Sequence, residues 1–257
     1  MSLTLMTYNI RIGTWSPLGL EGIARVMEQV KPDIVGLQEV NRYGHQSGPV
    51  DQTRWLGERL GMQYVFGASR PTSDLWKTVP NETGAFGNAL LTRFPILDWT
   101  VHPLPRPSET DEPRSLLGAR LATLSGALNV LVTHWSLDFD HRQLQAVSTV
   151  EQVGTWHPGT PVVLMGDFNA LHDSPEIAAI RQALTDGWEV AGVPMENRIS
   201  FPSGAKGSVS PDGWSAALDY VFVGDGITVE RIEVIRDESQ ASDHNPVVVR
   251  VQLQPSG

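Results

Sequence analysis

The sequence predicts an α/β fold in which two β-sheets pack face to face and helices cover the outside. Three observations carry that expectation. Short runs of β type recur along the whole 257 residues. A few segments of helical periodicity fall between those runs instead of being gathered at one end. No linker or low-complexity tract divides the chain and no repeat at solenoid spacing is visible, so residues 1–257 are read as one domain.

In chain order the β-type runs are Leu3 to Asn9, Asp33 to Gln38, Ala89 to Thr92, Leu116 to Leu124, Ala127 to Thr133, Val162 to Met165, Leu218 to Val223, Val229 to Ile235 and Pro246 to Leu253. Helical spacing appears at Leu20 to Val30 and at Arg142 to Val153, where Leu144, Val147, Val150 and Val153 form the apolar stripe. It is weaker near Trp55 to Leu60 and Glu176 to Leu184, the latter preceded by Asp173-Ser174-Pro175, a helix-capping pattern. Three long stretches rich in Pro, Gly, Ser and Thr remain as loops: Gly67 to Gly87, His102 to Arg114 and Phe201 to Ala216.

Composition narrows the function classes. Nineteen basic against 29 acidic residues leave a net charge of −10, which argues against a surface that grips a polyphosphate backbone by electrostatics alone. The absence of cysteine excludes disulfides, thiolate metal sites and a cysteine nucleophile. Apolar runs such as Leu128 to Val132 are strand length, far below the roughly 20 residues of a membrane-spanning helix. The N-terminus lacks a basic n-region and enters a strand pattern at once, so a cytoplasmic location is expected. Oligomeric state is left open.

The chemistry sits where strands end. Apolar runs stop at Asn9, at Glu39, at His134 and at Asp167-Phe168-Asn169; Asp219 opens another strand, and Ser242-Asp243-His244-Asn245-Pro246 precedes the last. Strand ends can converge at one edge of a packed sheet pair. Gathering Glu39, Asp167, Asp219 and Asp243 without comparable cations would be strongly repulsive, and a divalent ion resolves it. An oxygen-dominated donor set favours Mg²⁺ or Mn²⁺ over zinc. His134 and His244 are then free for proton transfer or for hydrogen bonds to a charged transition state, a combination that suits metal-assisted phosphoester hydrolysis.

Taken together, Thr7-Tyr8-Asn9-Ile10-Arg11, Leu37-Gln38-Glu39-Val40, Gly87-Asn88-Ala89-Leu90-Leu91-Thr92-Arg93, Thr133-His134-Trp135, Gly166-Asp167-Phe168-Asn169, Leu218-Asp219-Tyr220 and Ser242-Asp243-His244-Asn245-Pro246 resemble the endonuclease/exonuclease/phosphatase superfamily, in its order and over nearly the whole chain. The resemblance implies a four-layered α/β sandwich of the deoxyribonuclease I type, with two mostly antiparallel sheets, and a metal-dependent phosphoesterase that attacks phosphorus with activated water. It implies Glu39 as principal metal ligand with Asn9 and Asp243 beside it. Asp167 and Asn169, two apart and so on one side of an extended backbone, would align the water and hold a phosphate oxygen. His244 would be base or phosphate clamp, oriented by Asp219. Asn88 and Arg114 resemble substrate-phosphate contacts, and Arg142 with Gln145 a supporting element. In the abasic-site endonuclease and exonuclease III branch a tyrosine commonly stands where deoxyribonuclease I, neutral sphingomyelinase and related phosphatases carry the histidine found here as His134, so the resemblance leans to that side.

Blander readings exist for several of these residues. Asn9 could be a turn residue, and Glu39 could pair with Arg42 at the surface. His45, His102, His141, His157 and His172 match no catalytic motif, Trp76 and Trp214 suit loop packing, and Lys77, Lys206 and Arg106 are near background. Serine-hydrolase, P-loop, zincin and dinucleotide motifs are absent, the nearest being Gly224-Asp225-Gly226 without its third glycine. The expectation is a Mg²⁺- or Mn²⁺-dependent phosphodiesterase acting on a small or lipid-like phosphoester. A nuclease acting on DNA or RNA is the alternative that net charge disfavours, and a catalytically silent interaction scaffold is the contrasting class.

Overall fold

The first strand already sets the layers. Leu3 and Leu5 join one apolar cluster while Met6 and Tyr8 join another, because successive side chains on a strand point to opposite faces. A computed structural model of the chain describes residues 2–44, 46–71, 84–108, 111–204, 213–236 and 241–254; His45, Trp76, Lys77, Lys206 and parts of the three long loops lie outside the described residues. The elements are β1 (Ser2–Asn9), α1 (Gly19–Val30), β2 (Ile34–Arg42), α2 (Gln52–Leu60), β3 (Gln63–Pro71), β4 (Ala85–Thr92), β5 (Ile96–Pro103), β6 (Ser115–Thr123), β7 (Gly126–His134), α3 (Phe139–Thr155), β8 (Val162–Asp167), α4 (Pro175–Ala183), β9 (Thr185–Asp186), α5 (Gly187–Val190), β10 (Asp219–Val223), β11 (Ile227–Val234) and β12 (Val247–Leu253).

Two six-stranded sheets result, ordered β11-β12-β1-β2-β4-β3 and β5-β6-β7-β8-β10-β9. Advancing each strand number by six around the twelve turns the first order into the second, so the sheets are topological copies. Only β1 with β2 and β7 with β8 pair in parallel among the paired strands described. Each parallel pair is bridged by a helix, α1 or α3, as parallel pairing requires. The four carboxyl ends of these strands meet at one edge of the sandwich, where Asn9 Nδ2 lies 3.0 Å from Asp167 Oδ2. The expected α/β sandwich is therefore present.

One core fills the space between the sheets and extends under α3 and α4, with Leu3, Leu5, Ile34 and Leu90 from the first sheet and Val132, Met165 and Val221 from the second. The other lies between the first sheet and α1 and α2, through Ile23, Met27 and Leu56. Gly36 sits at a close approach of the sheets: a Cβ there would stand 2.9 Å from both Met165 Cε and Val132 Cγ2. Side chains cap the starts of α2, α3 and α4, the last as Asp173-Ser174-Pro175 signals. Asp51, Asp138 and Ser174 each accept a first-turn N–H, and Pro175 occupies the first turn of α4.

Two differences from the sequence reading are informative. Strands β3 and β5 fall in segments with no clear period and occupy sheet edges, where one side of the strand is solvated and alternation fades. Helix α3 buries Gln145, Ala146 and Thr149 while Leu144 and Val147 are exposed, the reverse of the apolar-stripe expectation for those two. The buried polar pair is used: Gln145 Oε1 accepts the Ser136 N–H at 2.9 Å, and Trp135 Nε1–H donates to Thr149 Oγ1 at 3.3 Å. Gly36→Val is expected to lower unfolding stability by about 1–3 kcal/mol through overpacking, read from urea denaturation; an unchanged midpoint would mean the sheets tolerate wider spacing.

Candidate active site

Each half of the fold delivers equivalent groups to the shared edge. Asn9 ends β1 and His134 ends β7; Glu39 lies near the end of β2 and Asp167 ends β8. Asn88 lies in β4 and Asp219 opens β10, while Arg114 precedes β6 and Asp243-His244 precedes β12. All of these but Glu39 are buried.

Asp167 is the hub. Its Oδ2 accepts from Asn9 Nδ2 at 3.0 Å and lies 3.6 Å from both His134 Nε2 and His244 Nε2. On the far side of His244, Nδ1 pairs with Asp219 Oδ2 at 2.8 Å. Asp219 is itself fixed by the Ser200 hydroxyl, which accepts its N–H at 3.3 Å, and by Trp188 Nε1–H, which donates to its carbonyl at 3.1 Å. Asn9 Nδ2 also donates to Glu39 Oε1 at 3.1 Å. Ser242 Oγ reaches the Asn9 carbonyl at 2.7 Å and Asp243 Oδ1 at 3.3 Å, joining the last loop to the first strand.

The two imidazoles are held in opposite protonation states. Burial alone would push His244 down, but Asp219, Asp167 and Asp243 outweigh it and hold the group up to about 10. Burial keeps His134 well below the usual histidine range, with the charges of Arg114, His244 and Arg11 adding to the effect. Arg114 Nη1 lies 2.8 Å from His134 Nδ1 and 3.3 Å from its Nε2, so a guanidinium that only donates stands against the neutral ring, while Nε2 also faces Asp167. Asp167 is pushed up to about 7, first by burial and then by Asp219, against the opposing pull of His244, Asn9 and the Asn169 N–H.

Backbone geometry aims two of the acceptors. Between Leu37 and Val40 the β2–β4 register shifts, so Gln38 and Glu39 oppose the single Asn88, and Glu39 has φ +53°. A bulge with a left-handed non-glycine residue is costly and is characteristic of functional sites. Arg42 pairs with Asp51 at 3.0 Å, not with Glu39. Asn169 also has φ +48°, so the chain turns after Asp167 instead of staying extended; Asp167 Oδ1 accepts the Asn169 N–H at 3.0 Å, and Asn169 Nδ2 donates to the Trp135 carbonyl at 2.9 Å. Asn88 is buried with its Nδ2 donating to the Ser115 carbonyl at 2.9 Å, a link between the two sheets. Arg142 donates to Glu176 Oε1 at 2.9 Å and to the Leu137 carbonyl at 2.6 Å, holding the segment that follows His134.

The site opens into a cleft of about 1080 Å³ lined by Glu39, Arg114, His134, Asp167, Asn169, Asp243 and His244 together with Arg11, Arg70, Glu112, Phe139, Phe201 and Trp214. Arg11 and Glu112 were not singled out by sequence reasoning. Glu112 bridges Arg114 and Arg70, each at 3.1 Å, and only folding brings Arg70 near. Arg11 was legible as the neighbour of the Asn9 motif, yet its partner Asp243 is 232 positions away. Phe201 packs 5.0 Å from His244 and 5.6 Å from Trp214, so the loop aromatics form a wall of the cleft.

Ligand atoms of Asp167, Asp219 and His244 lie within 4.8 Å of one another, as do those of His172, Asp186 and Glu189. In the second trio, cations already stand inside: Arg181 is 2.7 Å from Asp186 and Arg198 is 2.5 Å from Glu189. The first trio is likewise balanced by the His244–Asp219 ion pair. Beside it, Glu39 and Asp243 present carboxylates to the cleft, a donor type that suits a hard divalent cation, and Asn9 lies behind them with Nδ2 on Glu39 and Asp167 and Oδ1 on the Arg11 N–H.

Hydrolysis of a phosphoester needs donors for the phosphoryl oxygens, an acceptor for the proton of water and a neutralised acidic floor, and this edge of the sandwich assembles all three. A family model described as the Endonuclease/Exonuclease/phosphatase family matches residues 6–244, and the chain belongs to that family of phosphoester hydrolases. Among curated proteins it is 34% identical over 146 residues to the uncharacterized protein YbhP of Escherichia coli strain K12, covering 54% of either chain. The chain thus matches about half the length of that relative. Among solved structures, an endonuclease/exonuclease/phosphatase from Beutenbergia cavernae superposes with a TM-score of 0.79 at 24% identity, covering 98% of this chain and 72% of that one. The mannosyl-6-phosphatase Bt3783 of Bacteroides thetaiotaomicron superposes with 0.74 at 20% identity, covering 98% and 100%. Both structural likenesses are of fold.

In the metal-free protein, NMR of the ring nitrogens is expected to find His244 doubly protonated at pH 8, where His134 is neutral. Because the folded-state value of His244, about 10, lies above the ordinary 6.5, the stability it contributes is complete below pH 6.5 and lost as pH rises through 10. Asp219→Asn should move the His244 midpoint down and flatten that decline; an unmoved midpoint would contradict the pairing.

Proposed function

We propose that the protein is a Mg²⁺- or Mn²⁺-dependent phosphodiesterase that cleaves a small or lipid-like phosphoester by in-line attack of water. The observation that carries this reading is the placing of two imidazoles, one charged and one neutral, each 3.6 Å from the same buried carboxylate oxygen. Asn9, Glu39 and Asp243 would hold the ion. When bound, it would polarise a phosphoryl oxygen and stabilise charge on the leaving oxygen.

The chain's own residues do the rest. Asp167, with its raised affinity for a proton, orients the attacking water and accepts from it. His244 donates from Nε2 to a phosphoryl oxygen while Asp219 holds Nδ1, and His134 flanks the same centre from the other side. Asn169, turned back by its left-handed backbone and fastened by Nδ2 to the Trp135 carbonyl, lines the same cleft.

Substrate size is supported by charge pairing. Arg11, Arg70, Arg114 and Arg142 line the cleft, and each has an acidic partner: Asp243, Glu112, Glu112 and Glu176. Among the described residues the cleft therefore shows no row of unpaired cations of the kind that tracks a polyanion. Leu137, Phe139, Leu171 and Trp214 are exposed and line it, which suits an organic substituent on the phosphate.

With Mg²⁺ or Mn²⁺, purified protein is expected to turn over bis-p-nitrophenyl phosphate or sphingomyelin in preference to plasmid DNA or an abasic duplex. EDTA should abolish the activity, and Glu39→Ala and His244→Ala should each reduce it by about a hundredfold or more. Salt-sensitive DNA cleavage without small-diester turnover would move the assignment to a nuclease. Activity that survives EDTA, or is absent on every substrate with metal present, would overturn the reading.

A further inference from the structure

We propose that the Arg11 guanidinium is a built-in stand-in for the metal ion: it neutralises Asp243 when no ion is bound and is released into the cleft when one binds. The inference rests on the reading of Asn9, Glu39 and Asp243 as ligands and adds a residue to which that reading assigns no role.

Arg11 engages Asn9 and Asp243 at once. Its backbone N–H donates to Asn9 Oδ1 at 3.1 Å, and its Nη1 donates to Asp243 Oδ2, also at 3.1 Å. The carboxylate is buried while the arginine is not: their side chains are 7% and 51% exposed. A buried carboxylate with no counter-charge is costly, so in the absence of an ion the nearest cation is drawn onto it. The half-exposed arginine gives up little when it leaves.

The backbone holds Arg11 at this position. Arg11, Ile12 and Gly13 have φ of +46°, +48° and +63°, three successive left-handed residues of which two are not glycine. Such a turn persists only where its surroundings enforce it. Here Gln52, buried, donates from Nε2 to the Ile12 carbonyl at 2.6 Å and accepts the Asn41 N–H at 2.8 Å, fastening the turn to β2. The main chain is thereby fixed over Asn9 while the side chain can move.

A guanidinium held 3.1 Å from Asp243 Oδ2 and a divalent cation on the same carboxylate repel each other. Loading the ion therefore frees a cation that lines the same cleft as His134 and His244 and is available to a phosphate oxygen. By linkage, metal and phosphate then favour each other's binding.

The test uses the full chain without turnover: Mn²⁺ affinity by electron paramagnetic resonance, and inorganic phosphate affinity by calorimetry with and without Mn²⁺. Arg11→Gln is expected to bind Mn²⁺ roughly fivefold more tightly and to lose most of the gain in phosphate affinity that Mn²⁺ confers on the unaltered protein. Unchanged or weaker Mn²⁺ binding in Arg11→Gln, with Asp243→Asn still abolishing it, overturns the stand-in role and leaves the ligand assignment intact. Mn²⁺ binding indifferent to Asp243→Asn overturns both. Should Arg11→Gln fail to fold, the Arg11 Nε–H resonance of the unaltered protein decides: a shift on adding Mg²⁺ supports release of the guanidinium, and a stationary resonance overturns it.

Discussion

Neutralising buried carboxylates is the constraint around which this molecule is arranged. Asp167, Asp219 and Asp243 are all within 5% of complete burial, and Glu39 is partly covered beside them. Each ionised carboxylate taken from water costs several kcal/mol unless a partner compensates. The chain answers with an imidazolium between Asp219 and Asp167 and a guanidinium on Asp243. His134 is kept neutral first by its own burial and then by Arg114 and the charged His244 beside it. The pairing of one charged with one neutral ring at this edge is therefore a consequence of where the acids are buried.

The fold makes that burial possible by repetition. Two sheets of identical order each contribute a parallel strand pair whose carboxyl ends open onto a common edge. Parallel pairs end together because a helix returns the chain to the starting side, so β1 and β2 present Asn9 and Glu39 side by side, and β7 and β8 present His134 and Asp167. Face-to-face packing then brings the two sets into hydrogen-bond range, with Asn9 donating to an acid from each half. The loops before β6 and β12 add Arg114 and His244, again one from each half.

Much of this was legible in the sequence because strand interiors are apolar and their ends are not. Asn9, His134 and Asp167 stand where a run of buried side chains stops, and the seven motifs appear in order. The parts that escaped have physical reasons. Strand β3, with Gly67, Ser69 and Arg70 in its second half, and β5, with Asp98 and His102, are edge strands whose exposed positions dilute the alternation. On α3, Gln145 and Thr149 are buried because they hold the segment after His134, an arrangement that apolar periodicity cannot report. The left-handed backbone at Glu39 and Asn169 carries no glycine to announce it. The partnership of Arg11 with Asp243 joins the two ends of the chain and exists only once both sheets have closed.

The same balance sets the character of the cleft. Its arginines are spoken for by acids, its rim carries exposed Leu137, Phe139 and Trp214, and its floor has oxygen donors from both halves. The most direct measurement of the central claim is anomalous diffraction from a crystal grown or soaked with Mn²⁺. The expected result is a strong peak coordinated by Glu39 with Asn9 and Asp243 close to it, and the His244–Asp219 pair intact. A peak between Asp167 and Asp219 that displaces His244, or Glu39 turned away from any bound ion, would contradict it.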